Sequence, residues 1–184
     1  MDERYRRALG AALAEITSDP EVIGVLFTGS VQQGRPQATS DLDFYVVTHK
    51  DHYWRDTRIY LGVKAELFIN NVASMRWRIT RPEEIAAAAG FATGEILLDR
   101  TGEVAELQAL ARQRWGAGPP ALIDEQTALW RYALNDMVED LHDVADAPVA
   151  SQVQVYEIVD HVLAPFGGLL QFWESKKVTY PGGQ

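Results

Sequence analysis

The sequence predicts an α+β domain over residues 1–116 followed by a small helical bundle over 121–184. Apolar patterns of period two alternate with helical ones only in the first part of the chain. The run Gly116-Ala117-Gly118-Pro119-Pro120 breaks both kinds of periodicity. Beyond it the pattern is helical alone.

In order along the chain, residues 2–17 read as an amphipathic helix, with Tyr5, Leu9, Leu13 and Ile16 at helical spacing and Ser18-Asp19-Pro20 as its stop. Val22–Phe27 suits a buried strand. Thr28–Ser40, rich in glycine and small polar residues, reads as a loop. Leu42, Phe44 and Val46 then alternate with Asp41, Asp43 and Tyr45, which predicts a strand with one polar face. His49–Asp56 is polar connection. Arg58–Leu61 and Val63–Ile69 are two strands joined around Gly62. Pro82 stands near the start of a short helix, Glu83–Ala89, with Gly90 as its C-terminal cap. Glu95–Leu98 is a short strand and Glu103–Trp115 a helix. Leu122–Val144 places Trp130, Leu134, Met137, Leu141 and Val144 on one helical face. Gln152–Trp173 forms a second long helix, interrupted near Pro165-Phe166-Gly167-Gly168.

Composition narrows the function classes. The chain has 184 residues, no cysteine, 47% hydrophobic and 23% charged residues. Disulfide scaffolds and thiolate metal sites are excluded. No apolar stretch approaches the ~20 residues that cross a bilayer, and no secretory leader follows Met1, so a cytoplasmic, membrane-free protein is expected. The net charge of −9 is a poor match for a nucleic-acid binder. The charge is also uneven: Ala121–His161 holds nine acids against Arg131 alone. Such a helical segment is a solvated face or a surface that attracts a cationic molecule.

The chemistry concentrates in Gly24–Val47. A buried strand ends at Thr28 and runs straight into Gly29-Ser30; after a loop ending at Ser40, a second strand begins Asp41-Leu42-Asp43. Alternation puts Asp41 and Asp43 on one face, where two carboxylates repel unless a cation lies between them. A hard, oxygen-preferring ion such as Mg²⁺ fits, with substrate phosphates in its remaining positions. Gly29 permits close backbone approach to a phosphate, and Ser30 offers a hydroxyl and an N–H. Along Val63–Ile69, Lys64, Glu66 and Phe68 share a face. Glu66, flanked by apolar residues, needs a partner, and a metal or a substrate hydroxyl proton would supply one. Asp41, Asp43 and Glu66 are therefore the candidate metal ligands and catalytic acids of a phosphoryl- or nucleotidyl-transfer site.

The pattern Gly29-Ser30, three residues, Gly34, six residues, Asp41-x-Asp43 and a later isolated Glu66 resembles the polymerase-beta-like nucleotidyltransferase superfamily. The spacing from Ser30 to Asp41 is similar to that of aminoglycoside (kanamycin-type) nucleotidyltransferases, as are Val63–Ile69 and the acidic helix Leu129–Asp143. The resemblance implies a mixed-sheet nucleotidyltransferase domain and Mg²⁺-dependent transfer of a nucleoside monophosphate from an NTP, ATP for preference, to a hydroxyl, with release of pyrophosphate. It implies that Asp41, Asp43 and Glu66 hold metal and that Gly29, Ser30 and Ser40 bind the nucleotide. Asp143 falls where some members carry a catalytic acid, but Ala147 stands where they carry lysine, so Arg131 or Lys176-Lys177 would supply that charge. The acceptor expected is a small, hydroxylated and cationic molecule such as an aminoglycoside, and a homodimer is one way to complete its pocket. The competing readings are transfer to a protein partner, as in antitoxin-like members, and a non-catalytic NTP-binding domain.

Other motifs are weaker. Gly29–Gly34 with Arg35-Pro36 lacks the lysine and hydroxyl of a phosphate-binding P-loop. His49 and His52 have no further ligand at matching spacing and read as an exposed turn. The five tryptophans are mainly core candidates, while Trp54 and Trp77 flank the site strands and could stack on a base.

Overall fold

The computed structural model describes residues 1–184 except 52, 82, 83, 119–122 and 171–184, and for 162–170 the backbone alone. The chain divides into two compact units, Met1–Gly116 and Ala117–Gln184. The elements are α1 (Glu3–Ser18), β1 (Val22–Thr28), α2 (Gly29–Gln32), β2 (Leu42–Thr48), β3 (Trp54–Tyr60), β4 (Val63–Asn70), α3 (Val72–Thr80), α4 (Ile85–Thr93), β5 (Glu95–Asp99), α5 (Glu103–Gly116), α6 (Asp124–Asp143) and α7 (Pro148–Leu170). Among the described residues, no helix is long and apolar enough to cross a membrane.

The first unit is α+β. Its five strands lie in the order β3-β4-β2-β1-β5, with β2 and β4 parallel and every other neighbouring pair antiparallel. Strand alternation assigns the two faces. Val25, Phe27, Leu42, Phe44, Val46, Ala65, Leu67 and Ile69 pack with Tyr5, Ala8, Ala12 and Ile16 of α1 into one core. The opposite face carries Gly24, Leu26, Asp43, Tyr45, Glu66 and Phe68. There α5 presses so close that a methyl at Gly24 would meet Val104, and α4 so close that one at Gly90 would meet the Tyr45 ring at 2.7 Å.

That second helical layer corrects several expectations. All of β2 is buried, not one face of it, because Tyr45 lies under α4 with its ring 5.2 Å from Phe68 and 5.0 Å from Phe91. Gly90 is inside α4 and not its cap: only a residue without Cβ clears Tyr45 there, and the helix ends at Gly94, whose N–H donates to the Gly90 carbonyl at 3.0 Å. Helix α3 lies in a stretch with no element expected. Asn71 caps it through the Ser74 N–H, and only Met75 and Ile79 are buried, too narrow a stripe to register as amphipathic. Strand β3 begins at Trp54, ahead of the expected Arg58. Gly29–Gln32 forms one helical turn inside the expected loop. The expected helix start at Pro82-Glu83 lies outside the described residues.

In the second unit, Trp130, Leu134, Met137, Leu141 and Val144 are the half-buried stripe of α6, as the spacing predicts. They meet α7, where Gln154 donates to the Met137 carbonyl at 3.2 Å and His161 stands edge-on to Trp130 at 6.4 Å. The backbone of α7 passes through Pro165, Gly167 and Gly168 without the expected interruption, since a proline forfeits one N–H bond while the neighbouring turns retain theirs. Leu122, Trp173, Lys176 and Lys177 lie outside the described residues, as do Pro119 and Pro120.

Candidate metal centre

Asp41, Asp43 and Glu66 each offer a carboxylate oxygen, and the three oxygens lie within 4.8 Å of one another. The register explains why residues 25 positions apart meet. Asp43 pairs with Thr28 of β1 on one side and with Glu66 of β4 on the other. Asp41, two residues back, precedes the strand on the same face. Asp43 is buried at 8% exposure, whereas Asp41 and Glu66 keep 22% and 21% of their side-chain surface. The cluster therefore opens to solvent from a buried floor.

Gly29 is part of that floor. Its φ is +87°, a conformation that favours glycine, and a methyl there would fall 2.0 Å from Asp43 Oδ2. The loop from α2 to β2 is pinned beside it. The Ser30 and Ser40 hydroxyls are 2.9 Å apart, the Gln37 N–H donates to Ser40 Oγ at 2.8 Å, and Tyr5 Oη donates to the Gln37 and Ser40 carbonyls at 3.2 and 3.3 Å. All six residues singled out in the sequence, Gly29, Ser30, Ser40, Asp41, Asp43 and Glu66, are thus gathered at one end of the sheet.

The sequence places Lys64 on the face of Glu66 but shows neither its pairing with the acid nor Arg55. Glu66 accepts from Lys64 Nζ at 2.6 Å through one oxygen and from Arg55 at 2.9 Å through the other, and Lys64 also stands 3.5 Å from Asp41. The Lys64 bond, aided by Arg55 and opposed by partial burial, holds the Glu66 carboxyl below the usual carboxylate range. The same bond raises the Lys64 ammonium above its ordinary value. Glu66 therefore already has its partners, and no metal is needed to account for its place. Lys64 was readable at i−2 on the same strand face; Arg55 was hidden by reading residues 49–56 as connection.

Arg55 also lies 4.5 Å over the Phe68 ring, which continues into Tyr45. Burial pushes the Tyr45 phenol up to about 12, so it stays protonated at neutral pH. Of the stacking candidates, Trp54 pairs with Ile69 and packs on the α1 side, away from the triad. Trp77 is 51% exposed, with Arg81 4.8 Å over its ring. His49 is exposed, and His52 lies outside the described residues.

No family model matches the chain, and no curated protein does. A solved nucleotidyltransferase-like protein from Exiguobacterium sibiricum is similar, with a TM-score of 0.46 and 14% identity, over 88% of this chain. The chain spans 56% of that protein's length.

Proposed function

We propose that the chain is a divalent-metal-dependent nucleotidyltransferase that moves a nucleoside monophosphate from an NTP, ATP for preference, to a hydroxyl of a small cationic acceptor such as an aminoglycoside. The observation that carries this reading is the convergence of Asp41, Asp43 and Glu66 within 4.8 Å over a glycine that leaves the Asp43 carboxylate room. The fit to an ion rests on the donor set: three carboxylates, half-open to solvent, are the hard oxygen ligands that Mg²⁺ takes while it keeps water and substrate oxygens. When bound, such an ion supplies charge neutralisation and alignment of the attacking and leaving oxygens.

The chain's own groups do the rest. Asp43, fixed between Thr28 and Glu66, sets the position of the acidic floor. Ser30 and Ser40 present hydroxyls at its rim for phosphate oxygens. Lys64, half-exposed and bonded to Glu66, offers a cation that can turn to the triphosphate once an ion takes up the acids. The acidic segment Ala121–His161 supports a cationic acceptor by long-range attraction.

The test incubates the protein with α-labelled NTPs and Mg²⁺, a panel of aminoglycosides and a cell lysate, with Asp43→Asn as control. Label on an aminoglycoside that vanishes in Asp43→Asn is the expected result and names the base preference as well. Label on one lysate protein replaces the acceptor with a protein. Metal-dependent NTP binding with no transfer to either overturns the enzymatic reading.

A further inference from the structure

Strand β3 ends the sheet order, and its outer side pairs with no strand among the described residues. It is seven residues long, and apolar side chains on and just beyond it are open to solvent: Ile59 is 75%, Leu61 61% and Tyr53 46% exposed. A long open edge of this kind is a template for another strand unless it is blocked.

The hairpin turn fixes which backbone groups point outward. Leu61 and Gly62 have φ of 50° and 83°, both positive, as in a two-residue type I′ turn flanked by the pair Tyr60 and Val63. In such a hairpin the flanking pair exchanges both hydrogen bonds, and bonding alternates from there. Trp54, Asp56, Arg58 and Tyr60 therefore bond β4, and the N–H and C=O groups of Arg55, Thr57 and Ile59 point outward. The Thr57 N–H agrees, since it donates to Asp56 Oδ1 at 2.8 Å instead of to β4.

We propose that this edge pairs with the same edge of a second copy, antiparallel and centred on Thr57, to form a continuous ten-stranded sheet. A two-fold axis at Thr57 matches every outward group at once: Thr57 bonds Thr57 of the other copy, its N–H exchanging Asp56 Oδ1 for the new carbonyl, and Arg55 bonds Ile59 in both directions. The side chains match in the same register. On one face the exposed Tyr53 meets Leu61 and Arg55 meets Ile59. On the other, Trp54 meets Tyr60, and Asp56 meets Arg58, the residue it already pairs with at 2.8 Å in its own chain. A shift of the axis by one residue, to Asp56 or Arg58, still brings outward groups together but sets two like charges opposite each other. Glu66 pairs with Thr57 within the chain, so the two acidic triads come to lie in one row on one sheet face. At ~4.8 Å per strand spacing their Glu66 residues are about 14 Å apart. This inference stands apart from the nucleotidyl-transfer reading.

The absence of cysteine makes a clean test. Molar mass in solution is measured against concentration for the full chain and for Ile59→Lys, which sets a lysine opposite Arg55 of the other copy. Thr57→Cys and Ile59→Cys are then oxidised in parallel, with circular dichroism as a check on folding. On the axis the two Cα atoms are about 5.5 Å apart, within disulfide reach, whereas the two Ile59 positions are roughly 14 Å apart. The expected result is twice the monomer mass, lost in Ile59→Lys, and a disulfide dimer at position 57 formed at least about tenfold faster than at position 59, which is also exposed. Monomer mass at every concentration overturns the proposal. So does equal or faster cross-linking at 59, or a dimer that persists in Ile59→Lys and gives no bond at 57, which would place the contact elsewhere on the chain.

Discussion

Replacing Gly29 by alanine and comparing it with Gly34→Ala separates backbone strain from displacement of a functional carboxylate. Both glycines have positive φ, +87° and +71°, so both substitutions carry a left-handed penalty of ~1–2 kcal/mol. At Gly34 a methyl meets nothing within 4 Å, and the cost ends there. At Gly29 the methyl falls 2.0 Å from Asp43 Oδ2, so the carboxylate must move by more than an ångström to reach ordinary contact. Overpacking of this kind adds about 1–3 kcal/mol, and an ångström of misplacement at a reacting centre costs on the order of a hundredfold in rate. Urea unfolding and label transfer under conditions where each variant is folded would read the two effects independently. The expected outcome is a small stability loss with transfer intact for Gly34→Ala, and a larger loss with transfer down about a hundredfold for Gly29→Ala. Transfer within a factor of about two of the parent in Gly29→Ala would refute the role given to Asp43.

Asp43→Asn should lower transfer by more than about a hundredfold while thermal unfolding shows the fold retained; a destabilised or still active variant contradicts the assignment. Lys64→Met should move the Glu66 titration, followed by carboxyl NMR, upward toward the ordinary glutamate value of about 4.3. Because the folded Glu66 carboxyl is depressed, its contribution to stability is present above that ordinary value and lost as pH falls through the lower one. The acid limb of a stability–pH curve should therefore flatten in Lys64→Met, though not vanish, since Arg55 remains. Gly90→Ala should cost about 1–3 kcal/mol in urea unfolding, because its methyl would stand 2.7 Å from Tyr45 Cε2 inside the buried layer.

The parts of this chain that sequence makes legible are those whose pattern is local. Val22–Phe27 is a mostly apolar run, Asp41 and Asp43 are two apart at the start of a strand, and Glu66 is flanked by apolar neighbours. Each of these constrains a face without reference to the rest of the fold. The misreadings concern features set by contacts between distant elements. Tyr45 looked like a polar-face residue until α4 was laid over it, and Gly90 looked like a cap because the aromatic ring that requires it is 45 residues away. Arg55 was lost with the start of β3, where alternate burial of Trp54, Asp56, Arg58 and Tyr60 comes from packing beside β4 and α1 and not from apolar character. The gathering of the acids was foreseeable, as was Lys64 beside Glu66 on one strand face; the arginine that also neutralises Glu66 required the register of β3 on β4.

That register also determines which changes in length the first unit can absorb. Between Thr48 and Trp54 no described residue belongs to a strand pair, so residues added there lengthen a connection and leave every strand pair as it was. A single residue added between Val63 and Glu66 has a different effect. It reverses the parity of β4 and sends Glu66 to the α1 core while Ala65 or Leu67 turns to the open end of the sheet. Libraries of one-residue insertions should thus show a tolerant stretch at 49–53 and an intolerant one running from the Leu61-Gly62 turn to Glu66.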